Sequence, residues 1–150
     1  MRKSVLHKES ADRLIERVEK LKGTSIPLWG SMTPTEMLRH CNLTNEQILN
    51  WEGTIRPATL GQRIVKWFSL YLLPRFPRNV RGPKRYDMKG QVKQALFDEE
   101  KRRFISILRK FPHVRKPLYS PHPFFGPLNT REWGLVVYKH LDHHLRQFGA

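Results

Sequence analysis

Residues 129–149 read NTREWGLVVYKHLDHHLRQFG, and this stretch decides the fold. Asn129 is a helix N-cap residue, and Glu132, three places on, completes a capping-box-like start. Gly149 stands where a helix is expected to end, so the spacing predicts a helix from Asn129 to about Phe148. Trp133, Val136 and Val137 recur at three- and four-residue steps and define a stripe that points to a core. His140, His144 and Gln147 lie on the same stripe. Two histidines four apart share one helix face, one turn apart, and can ligate a single ion. A neutral imidazole in an apolar stripe needs a polar partner, and a metal supplies one to both rings together. The same spacing arises by chance in a chain with seven histidines, and a pair on a solvated face is the alternative.

Working outward, the next clear signal is Thr33-Pro34-Thr35-Glu36, a capping box with proline at the first helical position. It predicts a second helix to about Asn50, with Met37, His40, Cys41, Thr44, Gln47 and Ile48 along one stripe. His40 sits in the middle of that stripe and is the best third ligand. Its bland alternative is a core histidine bonded to a carbonyl. Three histidines leave one coordination position open, the arrangement of catalytic rather than structural zinc. Three imidazoles also suit nickel, iron or copper. The expected cofactor is therefore one divalent transition metal ion, zinc or nickel ahead of iron.

Three further helices fill the chain. Leu14, Ile15, Val18 and Leu21 place one from about Ser10 to Leu21. Another runs from about Leu60 to Leu73, before Pro74, with a bulky face of Ile64, Trp67, Phe68, Tyr71 and Leu72. A third begins near Gln91 or Phe97 and ends before Pro112, with Leu96, Phe97, Phe104, Ile107 and Leu108 as core candidates. Pro74 to Pro83 and Pro112 to Leu128 read as loops. No repeat and no convincing period-two strand is visible. The expected class is all-α, one domain over residues 1–150, an up-down four-helix bundle with long crossover loops.

Other residues carry weaker signals. His143 is three from His140 but tilts away from the stripe, and reads as a supporting or surface residue. Gln147 can hydrogen-bond a ligand or a ligating ring. His122, in a Pro/Phe/Gly loop, can line the pocket or fix the loop. Glu36, four before His40, can act as a base near the metal, but its capping role comes first. Cys41 can be a nucleophile, yet a lone helical cysteine is more often a small core residue.

Lys and Arg number 28 against 13 acidic residues, a formal net charge of +15. From Arg56 to Lys89 there are nine basic residues and one acid, Asp87. Such an excess attracts polyanions or small anions. The basic residues lack aromatic interleaving at a recognisable spacing, and the most basic segment is loop-rich, so no sequence-specific nucleic-acid partner is expected. The single cysteine fits a reducing, cytoplasmic setting. The longest apolar run, Trp67 to Leu73, is far short of the roughly 20 residues that span a bilayer.

His140-Leu141-Asp142-His143-His144-Leu145-Arg146-Gln147 resembles the His-x-x-His-His-x-x-Gln signature that ends the DinB/YfiT-like superfamily of metal-binding four-helix bundles. Trp29-Gly30-Ser31-Met32-Thr33-Pro34, followed by Met37-Leu38-Arg39-His40, resembles its first-histidine motif. His122-Pro123-Phe124-Phe125-Gly126-Pro127-Leu128, then Trp133 and Arg146-Gln147-Phe148-Gly149, narrows the resemblance to the DUF1569 branch. The similarity is tight over about Trp29 to Asn42 and His122 to Gly149; the middle matches in helix order. The resemblance implies one divalent ion held by His40, His140 and His144. It implies thiol-dependent S-transferase or hydrolase chemistry on a small anionic or thiol substrate, although no obvious catalytic acid or base stands beside the triad. The competing reading is a non-catalytic basic binding or scaffold module with a structural or vestigial metal. In that case the Arg56–Lys89 face meets an acidic partner. The bulky Trp67-Phe68-Tyr71-Leu72 face then packs in the core or against a second copy as a homodimer, with a membrane surface as the remaining possibility.

Overall fold

A computed structural model describes residues 2–150. Among the described residues there are five α-helices: α1 (Lys8–Lys20), α2 (Pro34–Asn50), α3 (Leu60–Trp67), α4 (Phe97–Lys110) and α5 (Thr130–Gln147). Each predicted helix is present. The first starts two residues earlier than its apolar stripe suggested, because its opening turn, Lys8 and Glu9, is solvated. A two-stranded hairpin, β1 (Pro121–His122) against β2 (Gly126–Pro127), is too short to show an alternation in sequence.

Local chemistry starts the helices where the sequence placed them. In α2, Thr33 Oγ1 accepts from the Glu36 N–H at 3.3 Å and Glu36 Oε2 accepts from the Thr33 N–H at 2.7 Å. Asn129 and Glu132 close the same reciprocal box on α5. Thr59 and Gln62 do so on α3, a box the sequence reading did not single out. Each cap contributes about 1 kcal/mol. Gly149 ends α5 at φ +72°, while its N–H donates to the Arg146 carbonyl. An L side chain is strained in that conformation.

The expected up-down bundle takes a specific form. α1 and α5 run parallel: the Val5 N–H donates to the Gly134 carbonyl at one end, and Arg17 pairs with Asp142 at 2.7 Å towards the other. α2 and α4 also run parallel, with Asn42 opposite Glu100 and Glu46 opposite Arg103. α1 and α4 are antiparallel, since Lys101 near the start of α4 bonds the Glu19 and Leu21 carbonyls at the end of α1. Parallel helices cannot be joined by tight turns, so the long crossovers are a requirement of this arrangement. The core stripes meet inside: Leu14, Val18, Met37, Cys41, Phe104, Leu108, Val137 and Leu141 are all buried.

One charged cluster stitches α2 to α4. The Glu100 carboxylate is fully buried, accepts from Asn42 Nδ2 at 2.9 Å and pairs with Arg39 at 2.9 Å. A buried charge is tolerated only when partnered in this way.

The α3 segment departs from the expected core packing. It is followed by a π-helical turn, Phe68–Leu72, and only Leu70 of the combined stretch is buried. Of the bulky face expected in the core or against a second copy, Ile64, Trp67, Phe68 and Leu72 are exposed rather than in the core, while Tyr71 is half-buried against it. The segment is held to α5 by polar contacts. Lys139 Nζ donates to the carbonyls of Ser69, Leu70 and Leu73, at 2.7, 3.1 and 2.7 Å. Lys66 pairs with Glu132 at 3.0 Å.

Candidate metal centre

α2 and α5 are antiparallel neighbours, and their mid-helix stripes place His40 directly across from His140 and His144. The His40 and His140 Nε2 atoms are 3.0 Å apart, and those of His140 and His144 are 3.1 Å apart. The three donor atoms lie within 4.8 Å of one another. Two ligands at a zinc–nitrogen distance of 2.0–2.1 Å and a tetrahedral angle stand about 3.3 Å apart, close to these separations.

The far sides of two rings settle what faces the centre. His40 Nδ1 is 2.8 Å from the Tyr86 carbonyl oxygen, which can only accept, so Nδ1 carries the proton and Nε2 is a lone pair. The carbonyl partner that would mark a bland core histidine is therefore present, and it serves to aim the other nitrogen inward. His144 Nδ1 is 3.0 Å from Gln147 Oε1. The Gln147 amide is oriented by its Nε2, which donates to the Trp29 carbonyl at 2.8 Å. Its oxygen therefore accepts from His144, and the His144 Nε2 is again a lone pair. Two inward lone pairs flank His140 Nε2, and a proton there can serve only one of them. A cation at the centre satisfies all three, so the residues fit a divalent metal.

Electrostatics keep the rings ready. Burial lowers the pKa of His40, opposed by the Tyr86 hydrogen bond and the Asp87 charge. Burial and then repulsion from His144 and His40 hold His140 well below the usual imidazole range. Burial first, then His40, pushes His144 down to about 3. All three are neutral at pH 7, the form that ligates metal. His144 is buried while His40 and His140 are half-buried, so the cluster is reachable on their side.

The remaining candidates separate clearly. Gln147 is the orienting partner expected of it. His143 stays out of the cluster: its ring meets Trp29 edge-on at 5.7 Å. Glu36 is committed elsewhere, since Oε2 caps α2 and Oε1 accepts from the Gly90 N–H at 2.6 Å. That second bond anchors the crossover that carries Tyr86, so Glu36 serves the site by placing the carbonyl that orients His40. His122 stacks on Phe125 at 4.1 Å and accepts from the Phe124 N–H, which fixes the hairpin loop. Burial pushes it down to about 4. Cys41 is fully buried beside Met37, and burial raises its thiol pKa, so it is a core residue and not a nucleophile.

Sequence reasoning missed the groups that act through the backbone. The Tyr86 and Trp29 carbonyls carry no side-chain signal. Gly30 was quoted only within a motif, yet its φ is +76° and an added Cβ would stand 2.6 Å from Gln147 Nε2. Only glycine lets that amide reach Trp29. Arg78 lies over the Trp29 ring at 4.1 Å and Arg85 over the Tyr86 ring at 4.8 Å, so two cations stack on the aromatic residues whose carbonyls orient the site. A surface groove lined by Glu46, Arg102, Arg109 and His113 lies elsewhere and contains none of the three histidines.

A family model described as a protein of unknown function, DUF1569, matches residues 1–150. No curated protein matches the chain. No solved structure matches it either. The chain belongs to the DUF1569 family.

Proposed function

We propose that this DUF1569 chain is a metal-dependent enzyme of the DinB/YfiT-like type. Its divalent ion, zinc or nickel ahead of iron, is held by His40, His140 and His144, and its chemistry is thiol (S-)transfer or hydrolysis. The observation that carries the reading is the pair of inward Nε2 lone pairs on His40 and His144, fixed by Tyr86 and Gln147, flanking His140 Nε2 at 3.0 and 3.1 Å. Three protein ligands leave a position open, as in catalytic sites. A divalent ion held there supplies Lewis acidity, which lowers the pKa of a coordinated thiol or water.

The chain's own groups favour the thiol. Activating water for attack commonly uses a general base within hydrogen-bond reach. Glu36 has both oxygens engaged, and Asp142 is tied to Arg17 and Arg146 at 2.7 and 2.9 Å. A thiol ionises near 8.5, far closer to neutrality than water, so a bound ion would need to lower its pKa only slightly to favour the thiolate. Arg78 and Arg85 supply positive charge beside the site for a carboxylated thiol. Elemental analysis of the purified protein, followed by a thiol-transfer screen of the metal-loaded form, tests the reading. About one transition-metal ion per chain and turnover lost in His140→Ala support it. Absence of metal, or turnover that survives chelation, overturns it.

A further inference from the structure

The α3 helix and the π turn after it are amphipathic in the wrong sense for a core element. The side turned to the body carries Gln62, Lys66 and Ser69, with Leu70 and Tyr71 at its end against the core; these are the less exposed positions of the stretch. The side turned to solvent carries Leu60, Ile64, Trp67, Phe68 and Leu72, exposed at 73, 60, 56, 48 and 54%. A surface helix ordinarily buries its apolar stripe and solvates its polar one. Here the polar side is attached by the Lys66–Glu132 pair and by Lys139, which caps the carbonyl end of the turn. These contacts hold the apolar side outward, where a contiguous patch with two large aromatics marks an interaction surface.

The charges around the patch say what covers it. Arg56 and Arg63 lie before and within the helix, and Arg75 and Arg81 follow it; all four are exposed. Among the described residues of Arg56–Lys89, Lys66 is the cation that forms an ion pair. A second copy seated on this patch would bring two unneutralised basic rims together, in a chain whose net charge is already +15. An anionic surface neutralises them. Trp, Phe and Leu on one face with a basic rim is the composition of a helix that lies in a membrane interface.

We propose that α3 and the π turn form a peripheral docking face for an anionic lipid bilayer, with Trp67 and Phe68 inserting at the headgroup boundary and the arginines meeting lipid charge. The proposal does not rest on the metal centre. Vesicle flotation of the full chain tests it, comparing phosphatidylcholine with vesicles holding about 30 mol % phosphatidylserine. The protein should float with the anionic vesicles and stay behind with the zwitterionic ones. Trp67→Ser with Phe68→Ser should cut partitioning by about tenfold or more while every cation remains, because partition follows buried apolar area as well as charge. Both residues are solvent-facing, so the melting curve should hold. Should that variant not fold, Arg75→Glu with Arg81→Glu should give a comparable loss. Quenching by brominated lipid should be seen in wild type and reduced in Trp67→Phe, which keeps binding. Failure to float with anionic vesicles overturns the proposal. So does flotation unchanged in the Trp67/Phe68 variant, or a dimer in light scattering that those substitutions dissolve.

Discussion

Gln147 Oε1 accepts the Nδ1 proton of His144 at 3.0 Å, while the same amide donates to the Trp29 carbonyl at 2.8 Å. One glutamine thus fixes a tautomer on its own helix and clamps the loop before α2. Loss of such an orienting partner typically costs 10–100-fold in metal affinity. Gln147→Leu is therefore expected to weaken zinc binding by about that factor, read by competition with a chelating dye. Gly30→Ala should reproduce part of the loss, because its Cβ displaces the amide. Unchanged affinity in both would show that the tautomer is not set through this contact.

Removal of any one of His40, His140 or His144 leaves two ligands. Alanine at each should abolish stoichiometric metal in elemental analysis, whereas His143→Ala should keep most of it. His143 sits against Trp29 instead. Metal lost in His143→Ala and kept in His144→Ala would reverse the assignment.

A metal bridging α2 and α5 binds only when they are docked, so it stabilises the fold. At ligand about 100-fold above Kd the linkage is about 2.7 kcal/mol, or about 5–10 °C in Tm for a chain of this size. Chelation should lower Tm by that order in a calorimetric scan. An unaltered scan with metal loss verified would contradict the bridge.

The acid side of stability should carry a mark of His122. Its folded pKa, about 4, lies below the unfolded 6.5, so between those values the unfolded chain binds a proton that the folded chain refuses. The associated stability is present above pH 6.5 and lost as pH falls towards 4. The three clustered histidines act in the same direction, so the comparison is between wild type and His122→Gln, both metal-free. The variant's Tm should fall less steeply from pH 7 to 4.5. Parallel curves would mean that His122 is not buried as a neutral ring.

Glu100 is fully buried between α2 and α4. Glu100→Ala leaves Arg39 without its charge partner and Asn42 Nδ2 with the residue-100 carbonyl alone, and should cost about 3–5 kcal/mol, measured by urea unfolding. A loss below about 1 kcal/mol, within the range of an exposed pair, would show that water reaches the cluster.

The sequence by itself determined the helices and the three histidines. Capping residues Thr33, Glu36, Asn129 and Glu132 act on backbone groups within one turn. A 3.6-residue period writes the buried face into Leu14, Val18, Met37, Cys41 and Val137 without reference to anything distant. The stripe placing His140, His144 and Gln147 together is local for the same reason. What only the tertiary structure decided is contact between segments far apart in the chain. The Tyr86 carbonyl reaches His40 across 46 residues and the Trp29 carbonyl reaches Gln147 across 118, through backbone groups that every residue carries alike. The direction in which α3 turns its apolar face was equally out of reach. Periodicity reports that a helix has two unlike faces; which one meets the body was settled here by Glu132 and Lys139, more than 60 residues further along.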